Sequence, residues 1–277
     1  MGRTLEGLPE GVRAELLTSF PEADLERARW LHGAFHFVAL CGDSLVLRVR
    51  VGGDHRSAVA REHDAMRWFS RLPLSIAAPQ AETGPVHAAE WSAFGCTRML
   101  GEPMEQGEWK HDREILLPIL EELAGLDLPG PPSPTARAWC GGEVWPTIVD
   151  ELTSAWAVGS RRAVSAAVNA LIDGTPDRSV VAHGDFGPHN VLLGARGAAV
   201  IDPDTAGPGE PATDLAPLLG FYPVDELSRD FPRERVQRAT VIRRTLPLQI
   251  AAAAELAADV SLRNHALANF RRREERR

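Results

Sequence analysis

Lysine is nearly missing from this sequence. Lys110 stands alone, and the other 29 of the 30 basic residues are arginine. That bias is one of composition and carries no mechanism. Cysteine is scarce too. Cys41, Cys96 and Cys140 are odd in number and far apart, so they form neither a disulfide framework nor a zinc-type pairing. Such usage fits a reducing, cytoplasmic setting. No apolar run is long enough to cross a bilayer. Met1–Glu10 lacks the basic start and the hydrophobic block of a signal peptide. No internal repeat is present. What the chain does have is 277 residues with 44% hydrophobic content, enough for one large core or for two lobes around a cleft.

Charge is unevenly placed. Residues 1–101 are net −1, residues 102–230 net −13, and residues 231–277 net +6, ending in the Arg271–Arg277 cluster. An acidic middle argues against nucleic acid as a partner. It suits a cationic solute drawn in by long-range attraction, or it is ordinary surface solubility. The arginine-rich end reads as a solvated terminus rather than a site.

Patterning predicts one or two helices over 9–31. Two β-rich runs follow, Phe35–Leu40 and Leu45–Arg50, joined by a hairpin turn at Cys41–Ser44. A charged amphipathic helix is predicted over Asp54–Leu72, then two strands within Val86–Leu100. Gly101-Glu102-Pro103 breaks the run and marks a boundary between residues 1–101 and 102–277. Helices are predicted at Ile115–Leu126 (with Pro118 near its start or kinking it), around 147–158 and 161–172, and over Arg235–Ala268. An irregular connector lies at Pro129–Pro134. Val180–Ala182 and Ala198–Ile201 are short apolar runs.

Between those runs lies the densest polar motif, His183-Gly184-Asp185-Phe186-Gly187-Pro188-His189-Asn190. Ile201-Asp202-Pro203-Asp204 follows. Phosphoryl transfer needs a carboxylate that orients the attacking hydroxyl, oxygen ligands for magnesium and a cation for the phosphate oxygens. Asp185 and Asn190 are five apart, the spacing of the Asp and Asn in a kinase catalytic loop. Asp202 follows an apolar run, as a metal ligand at a strand end would. Asn190 with Asp202 suits Mg²⁺, which takes few protein oxygens. A lone His-Gly-Asp is usually a turn and a lone Asp-x-Asp a solvated loop, but the two together are specific. His183 and His189 with the aspartates leave a transition-metal hydrolase as the alternative, although such a site wants more histidines.

His183–Leu193 and Ile201–Ala216 resemble the aminoglycoside phosphotransferase family, relatives of choline kinases and distant cousins of protein kinases. The second motif runs on through a glycine-rich stretch to Asp214-Leu215-Ala216. Gly184 stands where protein kinases carry arginine, which suits the small-molecule branch. The resemblance implies an α+β, bilobal, protein-kinase-like fold. Its N-lobe, residues 1–101, would hold the nucleotide with an antiparallel sheet and a helix. Its larger, mainly helical C-lobe, 102–277, would hold catalytic and acceptor groups. Asp185 would be the catalytic base, Asn190 and Asp202 the magnesium ligands, and His183, Asp204 and Asp214 supports. Asp214 would brace the catalytic loop or contact substrate. The cofactors would be Mg²⁺ with ATP or GTP.

In the first lobe, alternation puts Val46 and Arg48 on one strand face. Val46 would pack on the base and Arg48 reach the phosphates. Arg50 shares the face and is the alternative. Glu62 on the next helix is the expected partner of Arg48. Gly33 precedes the first strand and is a candidate phosphate cap. Arg98-Met99-Leu100-Gly101 matches the family's hinge, whose backbone would hydrogen-bond the base.

The acceptor is expected to be a cationic antibiotic. Glu121, Glu122, Glu143, Asp150, Glu151, Asp225 and Glu226 are the acids offered for it. The start Gly33–His36, the compact size and Pro247-Leu248-Gln249 look most like viomycin and capreomycin phosphotransferases, which modify a basic cyclic peptide. Streptomycin- or hygromycin-type sugars and a housekeeping metabolite stay open. So does a nucleotide-binding pseudokinase scaffold, against which the intact Asp185, Asn190 and Asp202 argue. No nucleic acid and no membrane is expected as partner.

Overall fold

Strand-favouring runs gather early in the chain and helix formers late, and the architecture follows that order. The computed structural model describes residues 8–33, 35–128, 134–174 and 178–276. It begins with helix α1 (Glu10–Ser19), strands β1 (Arg29–His32), β2 (Phe37–Cys41) and β3 (Leu45–Val51), and helix α2 (His55–Phe69). Strands β4 (Val86–His87), β5 (Trp91–Thr97) and β6 (Glu102–Pro103) follow, then helix α3 (Trp109–Gly125) and strand β7 (Asp127–Leu128). Helices α4 (Trp145–Thr153) and α5 (Val158–Asp173) lead to strands β8 (Ser179–Ala182), β9 (Val191–Gly194), β10 (Gly197–Val200) and β11 (Gly207–Gly209). The chain ends in helices α6 (Leu215–Leu218), α7 (Val224–Leu227), α8 (Arg233–Leu256) and α9 (Val260–Glu274). Two compact units result, Met1–Glu102 with Leu192–Asp204, and Pro103–Val191 with Thr205–Arg277.

The first unit is built on a five-stranded sheet in the order β1-β2-β3-β5-β4, each neighbour antiparallel. This is the antiparallel sheet with its helix that the resemblance implies. Alternation along β3 feeds two cores. Leu47 and Val49 join Leu16, Phe20, Trp30 and Trp91. Val46 packs with Phe94, Cys96 and, from α2, Val59 and Met66. Each large side chain so buried contributes about 1.5–3 kcal/mol. The segment Leu192–Asp204 belongs here because the Val200 N–H donates to the Ala77 carbonyl at 2.9 Å. A division at 101–102 gives this segment to the second unit, since a return of the chain leaves no mark in local sequence.

In the second unit α8 is the spine, with Leu248 and Ala251–Ala254 buried. Its small residues admit close neighbours, and α9, α5, α4 and α6 all pack on it. Arg238 on α8 also bonds Glu210 at 2.8 Å and the Leu171 carbonyl at 2.7 Å, tying α5 and the chain before α6 to the spine. A small antiparallel sheet, β11-β8-β7, has β8 buried along its whole length.

Several elements differ from the sequence reading. Arg29–His32 is strand rather than helix, because Trp30 is drawn into the sheet core and β1 pairs with β2. Helix α3 starts at Trp109, not Ile115, and keeps Pro118 inside it. Its first turn is fixed by tertiary contacts: the Trp109 indole N–H donates to Asp230 at 2.7 Å, and the ring packs on Tyr222. The final helical stretch breaks at Ala258 (φ 55°), after which Asp259 caps α9 by accepting the Leu262 N–H at 2.9 Å. Strand β9 is unmarked in the sequence. Of the connector, residues 129–133 lie outside the described residues, as do residues 1–7 of the start and Arg277. No helix among the described residues is long and apolar enough to cross a membrane.

All three cysteines are buried. Burial pushes the Cys41 thiol up to about 11, and those of Cys96 and Cys140 up to about 12. Since the thiolate is what reacts, the native chain should take up no iodoacetamide near neutral pH, and should label at all three positions once denatured. Rapid labelling of the folded chain, read by mass, would contradict this packing.

Candidate active site

The site in the second unit starts where β8 ends. After Ala182 the chain turns through His183–Gly187 into a short 3-10 turn, Pro188–Asn190, and enters β9. Asp214 organises that turn. Its carboxylate accepts the His183 N–H at 2.9 Å and the Gly184 N–H at 2.7 Å. Burial pushes its carboxyl above the ordinary value, against the pull of His183 and the two N–H bonds. The Thr205 hydroxyl donates to the His183 carbonyl at 3.1 Å. Gly184 has φ +89°, and a Cβ there would sit 2.8 Å from the Thr205 carbonyl oxygen. Only glycine fits both conditions.

Exposure separates the two aspartates. The Asp214 residue is 4% exposed, whereas the Asp185 side chain is 60% exposed, so only Asp185 can meet a solute. Around its carboxylate stand Asn190 Nδ2 at 3.4 Å and His189 Nε2 at 3.5 Å. Asn190 Nδ2 donates to the Asp185 carbonyl at 2.8 Å, which leaves Oδ1 as the atom Asn190 has to offer a ligand. The His189 ring stacks on Phe221, centroids 5.3 Å apart. Asp214→Ala should leave two N–H groups unsatisfied at a cost of about 1–3 kcal/mol each. A marked drop in the melting temperature checks this, and an unshifted melt would deny Asp214 its bracing part.

The first unit carries a second polar cluster. Arg48 on β3 is buried, and its guanidinium pairs with both Asp202 and Asp204. Glu62 on α2 takes Arg50, at 2.7 Å from its Nε, and stays 3.9 Å from Arg48. The expected Arg48–Glu62 pair is therefore present, as a longer contact than those Arg48 makes with the two aspartates. Arg48 and Arg50 share a strand face, and two carboxylates outcompete one for Arg48. Burial alone would lower the Arg48 guanidinium, but Asp204, Asp202 and Glu62 together raise it and keep it charged. Burial also opposes the charge on Glu62, yet Arg50 and Arg48 hold that carboxyl below its usual value. Asp202 sits in the left-handed region at φ 61°, a strained backbone of the kind that collects at functional sites.

Sequence reasoning missed His36. It is buried, 3.5 Å from Arg48 Nη2, and burial with the Arg48 charge lowers it to about 4, so it stays neutral. Its only sequence signal is a place beside the turn before β2. His36, Asp202 and Asp204 each bring one donor atom within 4.8 Å of the others. The two carboxylates fit a hard cation such as Mg²⁺, and the imidazole does not. Among the described residues Asp204 Oδ1 is buried with no hydrogen-bond partner, as a ligand atom would be.

The other predicted residues fall as follows. Val46 is half-buried on the α2 side of the sheet. The Gly33 N–H donates to the His36 carbonyl at 2.8 Å. The Arg98 N–H donates to the Ser44 carbonyl at 2.7 Å, so it too is used. Met99 and Leu100 continue from there, Leu100 exposed. A Cβ on Gly194 would lie 2.7 Å from the Leu100 oxygen, so this backbone approach needs glycine. The acids offered for the acceptor are spread over α3, α4, α7 and the turn before α4. Glu121, Glu143, Asp150, Glu151 and Asp225 are exposed, and Glu122 and Glu226 half-buried. Asp150 lies 3.8 Å from Arg161. Arg235 lies within the electrostatic reach of Glu121, and Lys110 within that of Glu226.

Comparison with known proteins follows this geometry. A macrolide 2′-phosphotransferase from Brachybacterium faecium superposes with TM-score 0.60 at 19% identity, over 95% of this chain and 98% of that one. A variant aminoglycoside 2′-phosphotransferase-IIIa in complex with GDP gives 0.69 at 13% identity, over 96% and 97%. An aminoglycoside phosphotransferase solved with ADP and hygromycin B gives 0.62 at 17%, over 94% and 96%. At such identities these likenesses show the fold. No curated protein matches in sequence. The profile described as "Phosphotransferase enzyme family" matches residues 30–253, most of the chain and both polar clusters, and by that match the chain belongs to the phosphotransferase enzyme family.

Proposed function

We propose that the chain moves the γ-phosphoryl group of ATP or GTP to a hydroxyl of a polycationic antibiotic. A capreomycin- or viomycin-like cyclic peptide is the first candidate, and streptomycin- or hygromycin-type aminoglycosides the second. The observation that carries the chemistry is the loop 183–190, with an exposed Asp185 on a braced, buried turn. In this reading Asp185 orients the acceptor hydroxyl and takes its proton as the new P–O bond forms and the bond to the leaving nucleoside diphosphate breaks. Arg48 or Arg50 meets the phosphates, Val46 the base, and the 98–101 backbone the base edge. Asn190 and Asp202 would hold magnesium, with Asp204 beside Asp202. When bound, that ion neutralises charge on the phosphate oxygens. Nucleotides bound to the structural relatives support the cofactor, and hygromycin B in one of them supports the acceptor class.

The net −13 of residues 102–230 supports a cationic acceptor. Each exposed ion pair contributes only about 0–1 kcal/mol, so several acids must act together. The acceptor KM should therefore rise as salt goes from about 0.1 to 1 M, where the screening length shrinks from roughly 10 to 3 Å. Nucleoside diphosphate release by the purified chain, screened over cyclic peptides, aminoglycosides and macrolides, tests the reading. A salt-independent KM, together with no resistance to any cationic drug in a sensitive bacterium, would reject this acceptor class. Release driven by a neutral metabolite alone would do the same.

A further inference from the structure

The second unit holds a cavity of roughly 260 Å³ whose walls include no part of the loop 183–190. Leu219 and Val224 form its apolar side, Val224 being 50% exposed. Helix α8 contributes Thr240, Arg243 and Arg244, and α9 contributes Arg273 beside Glu274.

The charges in this cavity are not balanced. Arg244 is satisfied, since its Nε and Nη2 donate to the Glu274 carboxylate at 2.9 and 2.6 Å. Among the described residues, neither Arg243 nor Arg273 has an ion pair or hydrogen bond. Both line this one cavity; partial burial lowers both guanidinium groups, and the Arg273 charge lowers Arg243 further. Thr240 turns its hydroxyl to the Val236 carbonyl at 2.9 Å, so the donors left for a ligand are the guanidinium N–H groups. Two like charges on one small hollow are relieved by an anion that accepts from both, and planar guanidinium forks suit carboxylate and phosphate oxygens. The net +6 of residues 231–277 draws anions to this end of the chain. The apolar wall would gain nothing from a bare inorganic ion. The volume is below the roughly 300–1,000 Å³ of drug-sized sites, so the ligand is small.

We propose that this cavity binds a small organic anion, its carboxylate or phosphate head between Arg243 and Arg273 and its apolar body against Leu219 and Val224. The site is separate from the loop 183–190, and the two are linked through the segment 219–224. Phe221, in the segment between Leu219 and Val224, stacks on His189.

Calorimetric titration of the full chain with phenyl phosphate, benzoate and inorganic phosphate tests this, with AMP-PNP present to fill the nucleotide site. Phenyl phosphate or benzoate should bind, and the tighter of the two identifies the head group. Arg273→Gln, a change at an exposed position, should weaken that probe about tenfold or more, as loss of a charge-assisted hydrogen bond implies. Arg243→Gln should do the same, and Arg243→Lys should recover part of the loss. Inorganic phosphate should bind more weakly than phenyl phosphate. The proposal is overturned if neither organic probe binds, if both glutamine variants bind as wild type does, or if inorganic phosphate binds as tightly as its phenyl ester.

Discussion

Asp185→Asn should lower kcat by about 10²–10⁴-fold, the usual contribution of a positioned general base, with nucleotide affinity and melting temperature unchanged. The structure separates these readouts. What Asp185 gives the fold is its backbone, through the carbonyl that accepts Asn190 Nδ2 at 2.8 Å. Its side chain is 60% exposed and, among the described residues, makes long contacts at 3.4 and 3.5 Å with Asn190 and His189. The amide is of equal size, so the turn braced by Asp214 should persist. What is lost is a negative oxygen able to accept a proton. Pre-steady-state turnover alongside nucleotide titration gives the split. A variant with near wild-type kcat would assign the orienting role to another residue, with His189 the nearest candidate.

The loop 183–190 was legible because its chemistry is local. Asp185 and Asn190 are joined by backbone geometry within six residues, and Gly184 is required by its own φ and by Thr205. The antiparallel sheet was legible because alternation at Leu45–Arg50 and a glycine-bearing turn specify a hairpin. Of the partners of Arg48 only Glu62 was legible. Asp202 and Asp204 lie 154 and 156 residues away, and Glu62, nearer in sequence, sits closer to Arg50 than to Arg48. His36 enters the same cluster through a fold-level approach that no spacing announces. Strand β1 was hidden for the opposite reason: its local sequence favours helix, and burial of Trp30 overrides that preference. The direction in which an acid on a helix points also depends on how that helix is rotated in its packing, which composition does not specify. This is why Glu121 and Glu226, both counted in one acidic balance, have Arg235 and Lys110 as their respective neighbours.

Asp202→Asn should abolish most magnesium-dependent turnover, by about 10²–10³-fold, since metal stabilisation of developing charge is worth several kcal/mol. The fold should tolerate the change. Asp202 sits at φ 61°, and asparagine is one of the few residues that enters the left-handed region easily. The side chain is 39% exposed, so the amide is not stranded in the core. Arg48 keeps Asp204 as partner, so the buried guanidinium is not left uncompensated. The loss should therefore appear in the magnesium titration, with the half-saturating concentration raised and kcat at saturation lowered, and not in the thermal melt. Asp204→Asn is the control. If Asp202 is the principal ligand, its variant should be the more damaged of the two. Equal or greater damage at Asp204 would transfer that role, because the orphaned Asp204 Oδ1 is the other oxygen placed to take it. Wild-type turnover of Asp202→Asn at saturating magnesium would remove Asp202 from the metal site and leave its strained backbone without a catalytic reason.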